Sequence, residues 1–446
     1  MFNPFGDKSL SDLTVEDIAK LVADGVTEGH YVEYKSELPN AADLAKAVAS
    51  FANAHGGWLF FGVESDPTTN AATQAPGLDT GEVGKLADRV RDAVVGNLSP
   101  VPAYFGKAID VAADRLVYVV QVPEGDETPY IHRNGRIYRR HGAGGDPVPE
   151  NNRYEVDDLY QRAQRSVERF RQFATLPWSM PRWQADQPLG WLELYTWPKY
   201  RPEVTLERFR ELADPAEERK WWSAEEAWEV GPSEVRLPGT CCVPFDQASS
   251  WAAGYSVSQL AGSAGPRAVP LTVEVRYYGA CRAFIPLHSW EGRLDEELEA
   301  DLSGRWGEEA RGGLVLFDGE DAFRALFTLA VKCARLAAKW GAVGPLRVRT
   351  RADNCWCHVP YFPTGAFREF VTGNGWPVCR RQRADFPDDV ARQPYQEIDG
   401  ASPGDFAMEV TTAALRSLGI PAGRAAGIMV GSIFGAGDRP PGEGLQ

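Results

Sequence analysis

Two glutamates and a lysine, in the spacing Glu28-x4-Glu33-x-Lys35, are the first residues in the chain whose types could do chemistry. Two carboxylates near a shared point can hold Mg2+ or Mn2+ through oxygen, and a nearby ammonium can offset charge on a phosphoryl oxygen. That is the arrangement metal-dependent phosphodiester cleavage needs. Taken alone, Glu-x-Lys on a strand is more commonly an ion pair on a solvated face.

A second group surrounds Asn134-Gly135, the pair favoured by a two-residue type I′ hairpin turn. Such a turn predicts that Arg133 faces Arg136 and that Ile131 faces Tyr138. Arg133, Arg136, Tyr138 and Arg140 would then project from one face, a basic stripe interleaved with an aromatic and suited to phosphates and an unstacked base. The competing reading is a solvated face whose arginines pair with neighbouring acids.

Other combinations offer less. Cys355-Trp356-Cys357-His358, with Cys379 beyond, departs from the C-x2-C spacing of a zinc knuckle, so buried thiols on a strand are expected. No G-x-x-x-x-G-K-S/T occurs, and a Walker-type ATP site has no motif support. Cys241-Cys242, Cys281 and Cys333 have no partner His or Asn in a recognisable catalytic context.

The elements that must position these residues are legible. Thr14-x-x-Asp17 reads as a capping box opening a helix to about Ala23. Tyr31 to Lys35 alternates as a strand, with Tyr31, Glu33 and Lys35 on one face and Val32 and Tyr34 on the other. Leu44, Val48 and Phe51 mark a helix ended by Gly56-Gly57. Trp58 to Val63 is apolar at both parities, which predicts a central strand covered on both sides. A helix through Leu86, Val90 and Val94 and a buried strand at Leu116 to Val122 follow.

Gly142 to Pro149 reads as a boundary, followed by a helix with Leu159, Ala163, Val167 and Phe170 inward. The first domain is placed at 1–150, a Trp-rich α+β domain of unknown role at 151–435, and a flexible tail at 436–446. Seven of the 14 Trp lie between Trp178 and Trp228, a density that predicts core packing. Paired strands at Leu271 to Val275 and Arg282 to Pro286, a helix from Asp321 to Trp340, strands at Leu346 to Thr350 and Cys355 to Tyr361, and a last helix over about Phe406 to Leu418 complete the reading.

Composition bounds the class. With 446 residues, 43% of them hydrophobic, the chain can bury several cores, which excludes a mainly disordered protein. A net charge of −15 excludes a histone-like polycation, so any nucleic-acid contact must be a local patch. Residues 1–150 carry 13 Lys and Arg against 22 Asp and Glu, a net of −9, which disfavours unspecific duplex binding. Seven Cys without a framework pattern predict a reducing, cytoplasmic setting. Neither a secretory signal nor a membrane span is expected, since Arg324, Lys332, Arg335 and Lys339 give the most apolar helix one polar face.

Three segments read together carry a resemblance. Glu28-Gly29-His30-Tyr31-Val32-Glu33-Tyr34-Lys35, Ala49 to Glu64 with Phe51-Ala52-Asn53-Ala54-His55-Gly56-Gly57, and Gly135-Arg136-Ile137-Tyr138-Arg139-Arg140-His141-Gly142 resemble, in order and spacing, the Schlafen AlbA-type domain. The resemblance covers about the first third of the chain. It implies an α/β (α+β) fold, a mixed sheet with flanking helices, ahead of the second α+β domain.

It also implies a nucleic-acid-binding module, RNA favoured over DNA, and in the Schlafen proteins proper a metal-dependent endoribonuclease cleaving structured RNA such as tRNA. On this resemblance Glu28 and Glu33 are metal ligands, with Mg2+ or Mn2+ as the ion, and Lys35 is catalytic. The family's third acidic position is Ser65 here, flanked by Glu64 and Asp66, either of which could complete the shell, with Asp66 also carried as catalytic. The alternative is a non-catalytic DNA- or nucleotide-binding regulatory module, with host defence as a setting. Whether the chain forms a homo-oligomer is left open.

Overall fold

The structure, a computed structural model, describes residues 3–433 apart from 7, 80, 82, 142–144, 177–189, 201–208, 211–212, 225–226, 231–232, 237–244, 246, 252–253, 260–270, 277–278, 312, 341, 343, 388–393 and 401. Trp178, Trp183, Cys241, Cys242, Gly142 and the tail 436–446 therefore lie outside the described residues, as does the side chain of Trp228. The chain divides into two compact units, Met1–Arg169 and Phe170–Gln446.

In the first unit, helix α1 (Val15–Ala23) opens on the expected box, with Thr14 N–H donating to Asp17 Oδ2 at 2.8 Å. Strand β1 (Val32–Lys35) runs parallel to β2 (Gly57–Phe61). Helix α2 (Ala41–Asn53) joins them, and its N-terminus is capped by Asn40, whose side chain accepts from Asp43 N–H at 3.0 Å. After β2 come three short strands, β3 (Glu64–Ser65), β4 (Ala72–Gln74) and β5 (Leu78–Asp79), and then helix α3 (Val83–Asn97). They are followed by β6 (Leu98–Ser99), β7 (Phe105–Ala112) and β8 (Arg115–Val122). The last strands are β9 (Ile131–His132), β10 (Tyr138–Arg139) and β11 (Val148–Pro149), and helix α4 (Arg153–Thr175) crosses the division between the units.

The main sheet runs β1-β2-β8-β5, with β7 also on β8. As the apolar run at both parities predicts, β2 is central. Leu59 and Phe61 enter a core with α2 and α3, while Trp58 and Phe60 enter another with α1 residues Ile18 and Leu21. The partner strand β7 was not anticipated, because its charged residues Lys107 and Asp110 break up any simple apolar pattern.

The second unit holds an eight-stranded antiparallel sheet. Its strands are β12 (Trp191–Pro198), then, after the separate hairpin β13 (Ala227–Val230) and β14 (Ser233–Arg236), β15 (Gln247–Trp251), β16 (Gly254–Ser258), β17 (Thr272–Arg276) and β18 (Cys281–Pro286). Helix α5 (Pro215–Ser223) packs near β15 and β16, and α6 (Glu296–Arg311) precedes β19 (Val315–Asp318). The remaining elements are α7 (Gly319–Lys339), β20 (Leu346–Asp353), β21 (His358–Tyr361), α8 (Gly365–Asn374), β22 (Arg383–Phe386), β23 (Gln396–Ile398), α9 (Pro403–Ser417) and α10 (Ala422–Ile433). Strand order is β15-β16-β17-β18-β12-β20-β22, with β23 also on β20.

One face of this sheet packs on α7 and α9, and α10 packs on those helices in turn. Trp222 and Trp197 are buried, in line with the packing expected of the Trp-rich stretch. Lys332 is not on a solvated face of α7: it is buried, and its ammonium donates to Trp221 O at 2.7 Å and Ala224 O at 2.9 Å. Cys355 to Cys357 form a loop, not the start of a strand, because Asn354 (φ +56°) and Cys357 (φ +60°) take left-handed backbone conformations that no β ladder accepts. No helix among the described residues is long and apolar enough to cross a membrane.

Candidate nucleic-acid interface

Alternation along β1 sends Val32 and Tyr34 into a core, which leaves Glu33 and Lys35 together on the other face. Glu33 is only 5% exposed. Its Oε1 lies 2.8 Å from Lys35 Nζ and its Oε2 accepts from Arg140 Nη2, so each oxygen is committed to a cation of the protein. Arg140 is still more deeply placed, at 2% exposed. Its Nη1 donates to Gly29 O at 2.9 Å, its Nε donates to Ser50 Oγ at 3.2 Å, and its guanidinium lies 3.8 Å above the Phe51 ring centroid.

Glu28 joins this group from the preceding turn and accepts Tyr34 N–H at Oε1, 2.6 Å away. Burial raises its pKa, and the nearby Glu33 charge adds to this, against the Tyr34 N–H, Lys35 and Arg140. For Lys35 burial works against the charge, but Glu33, Glu28 and Asp146 outweigh it and the pKa is raised. The arrangement is an ion-pair network of acids around two cations.

The third acidic position behaves differently. Glu64 Oε2 accepts from Gln74 Nε2 across β3 and β4 at 2.5 Å. Asp66 is half-buried, and its Oδ1 accepts the N–H groups of Thr68 and Thr69, each at 2.8 Å, which lower its pKa. The Asp66 turn does reach the Glu28 turn, where Glu28 N–H donates to Asn70 O at 2.8 Å. Yet among the described residues no three His, Cys, Asp or Glu side chains converge to hold a metal ion. Glu33 offers a divalent ion no uncommitted oxygen in this arrangement.

The late hairpin forms, but not in the predicted register. Ile131 pairs with Ile137, not with Tyr138, and His132 N–H donates to Arg136 O at 2.9 Å. The loop thus spans Arg133, Asn134 and Gly135. Only Gly135 has a positive φ, +80°, as in a three-residue loop with a glycine bulge. Asn134 keeps its side chain for the turn instead, accepting Arg136 N–H at Oδ1 (3.1 Å) and donating from Nδ2 to Tyr138 Oη (2.9 Å).

This one-residue difference divides the predicted stripe. Arg133 and Arg136 are exposed at the tip, whereas Tyr138 (5% exposed) and Arg140 are buried and face the protein. Arg139 is buried as well, paired with Glu155. A lysine that the sequence reading missed, Lys46 of α2, lies 5.9 Å from the Tyr138 ring centroid and near Arg136, with its ammonium paired to Asp43 Oδ1 at 2.7 Å. Its signal was available, as the one basic residue on that helix.

The remaining motif residues hold this hairpin in place. Asn53, fully buried, donates from Nδ2 to Tyr130 O (2.9 Å) and Tyr138 O (3.0 Å) and accepts Tyr130 N–H at Oδ1 (2.8 Å). It therefore substitutes for a ladder strand at the end of α2. Gly56, with φ +76°, ends that helix by donating to Phe51 O at 2.9 Å. At Gly57 a Cβ would lie 2.2 Å from the Phe51 ring and 2.8 Å from Tyr31 O, so glycine there is demanded by the ring that supports Arg140.

Residues 28–149 match the family model described as Schlafen, AlbA_2. Among solved structures, the DIP2311 protein from Corynebacterium diphtheriae is 20% identical, covering 36% of this chain and 38% of its own, with a TM-score of 0.23. The N-terminal domain of a RecG-related protein from Nitrosomonas europaea is 24% identical, covering 31% of this chain and 97% of its own, with a TM-score of 0.21. This chain thus spans well under half the length of the first of these, and no curated relative matches it. The match begins at Glu28 and ends at Pro149, enclosing the ion-pair network and the hairpin together: residues 28–149 of this chain match the Schlafen, AlbA_2 family, which suggests a function connected with nucleic acid.

Proposed function

We propose that the N-terminal unit binds nucleic acid through the cationic rim formed by Arg133 and Arg136, with Lys46 beside them, and that Glu28, Glu33 and Lys35 serve as the frame holding that rim, not as a cleavage centre. The observation that carries this reading is the commitment of both Glu33 oxygens, one to Lys35 and one to Arg140. A carboxylate so placed fixes the hairpin end against β1.

The small size of the rim on an acidic domain favours a short single-stranded or looped element over a long duplex, since each phosphate contact adds to a modest electrostatic total. RNA is preferred over DNA on the family resemblance alone. Unpaired thiols at all five described cysteines support a reducing cytoplasm as the setting.

Incubating the full chain with tRNA, and separately with single-stranded DNA, in Mn2+ or in EDTA tests the proposal. The expected result is salt-sensitive binding without fragments, weakened in an Arg133→Ala/Arg136→Ala variant, with the salt slope for single strands reduced by about 1.4. Metal-dependent fragments that disappear in a folded Glu33→Gln variant would overturn it in favour of an endoribonuclease.

A further inference from the structure

Two of the chain's six histidines lie side by side in the N-terminal unit, where the turn before β1 meets the end of α2. The His30 and His55 ring centroids are 5.3 Å apart with the planes tilted by 36°, and the Tyr31 ring stands edge-on to His30 at 5.1 Å. His55 is exposed, and His30 and Tyr31 are half-buried. Rings that meet at a surface leave flat faces in water, and such faces are what an unstacked base covers.

The backbone holds these rings together from two segments. Parallel pairing of β1 with β2 puts the residues ahead of each strand next to one another, and Trp58 N–H donates to Tyr31 O at 2.7 Å. Gly29 N–H donates to Val32 O at 3.0 Å, which closes the turn carrying His30 and Tyr31. His55 lies between Ala54 and Gly56, whose N–H groups both donate to Phe51 O, at 3.0 and 2.9 Å. Tyr31 also packs against the core that contains Trp58 and Phe60. Rings fixed in this way lose little freedom when a planar ligand covers them.

Charge and ligand number decide what such a surface takes. Burial lowers the pKa of His55; Glu124 opposes it, while His30, Arg162 and Arg139 add to it, so the imidazole is uncharged at neutral pH and offers its face. Two imidazoles could also ligate a transition metal. Among the described residues, however, no third His, Cys, Asp or Glu converges with them, and sites for such ions take three or four protein ligands. The rings adjoin the hairpin through shared anchors: Arg140 Nη1 donates to Gly29 O, next to His30, and Asn53, two residues before His55, holds Tyr130 and Tyr138.

We propose that His30, Tyr31 and His55 form a stacking platform for an unpaired nucleobase, so that the ligand class of this unit is single-stranded or looped nucleic acid held by a base face as well as by phosphates. The inference rests on the proposed nucleic-acid binding of the unit, but it uses none of the residues of the cationic rim. Stacking tolerates any base and adds affinity without adding phosphate contacts, so it leaves the salt dependence unchanged.

The test measures binding of oligo(A), oligo(dA) and a fully abasic deoxyribose-phosphate oligomer of the same length by the full chain, over a range of salt. His55→Ala is expected to weaken binding of the two base-bearing oligomers about 5- to 150-fold, the range for one lost base stack, and to leave the abasic oligomer and the salt slope unchanged. His55→Phe, which keeps a ring, should retain most of the affinity. Arg133→Ala/Arg136→Ala should instead weaken all three oligomers and reduce the salt slope by about 1.4. Unchanged affinity of His55→Ala for oligo(A) and oligo(dA), with the arginine pair still weakening them, overturns the platform and leaves the rim. A loss in His55→Ala with no effect of the arginine pair keeps the platform and removes the rim. Absence of binding by the natural chain overturns both. Affinity that EDTA abolishes and Zn2+ restores would assign the two imidazoles to a metal and overturn the stacking.

Discussion

Removing the Glu33 carboxylate separates a structural frame from a catalytic centre most directly. In Glu33→Ala the Arg140 guanidinium keeps its buried place between Ser50, Gly29 O and the Phe51 ring but loses its counter-charge. Lys35, whose side chain is 41% exposed, can turn to water; Arg140, at 0%, cannot. Breaking a buried pair from one side typically costs about 3–5 kcal/mol. For a unit the size of Met1–Arg169 that corresponds to a melting temperature lower by roughly 6–20 °C.

Replacing both partners, as in Glu33→Leu/Arg140→Met, leaves no uncompensated charge, and such exchanges are often neutral or stabilising. The double variant should therefore recover most of the loss. Thermal unfolding of the full chain measures the size of the effect, and hydrogen exchange at the β1 and β2 amides assigns it to the N-terminal unit. Because the pair is out of solvent, the deficit should persist at high salt. A Glu33→Ala protein that melts with the natural chain, or a double variant no more stable than the single one, would refute the structural role of this carboxylate.

Three further outcomes follow from the same geometry. Asn53→Ala strands the backbone groups of Tyr130 and Tyr138 that it now satisfies, and should cost about 3 kcal/mol or more in denaturant unfolding, with faster hydrogen exchange in β9 and β10; an effect under about 1 kcal/mol would contradict the clamp. Gly57→Ala forces its methyl into the Phe51 ring and should destabilise by about 1–3 kcal/mol, measured by urea unfolding, whereas Gly29→Ala, with open space around it, should be milder. The raised pKa of Glu28 means that the folded state holds its proton more tightly than the unfolded chain, so its contribution is present below the ordinary value of 4.5 and is lost as pH rises through the folded pKa. Glu28→Gln keeps an acceptor for Tyr34 N–H without the charge; it should be the more stable form at neutral pH, with the gap closing on acidification, and a gap that widens in acid would show the sign to be wrong.

Much of the frame was legible because it depends on local periodicity. The parity of Trp58 to Val63 placed β2 at the centre of its sheet, and the capping box placed α1. The motif residues were visible too, but their roles were not. Asn53 was equally a helix cap or a site residue until its hydrogen bonds to a segment 77 and 85 residues away were in view. The stripe of arginines failed at the turn: Asn134-Gly135 predicts a two-residue loop, and the bond from Asn134 Nδ2 to Tyr138 Oη belongs to a three-residue one.

Residue types and their spacing alone determined the class of the protein: α/β elements, an acidic chain with only local basic patches, and a first third of Schlafen AlbA-type pattern. Tertiary structure decided what the acids are for. Glu33 reads from sequence as a metal ligand or the partner of Lys35 on a solvated face, and Arg140, 107 positions later, as part of a basic stripe; only the docking of the hairpin against β1 brings them together out of water, where each neutralises the other. Burial and pairing depend on neighbours far apart in the chain, and a linear pattern carries no record of them.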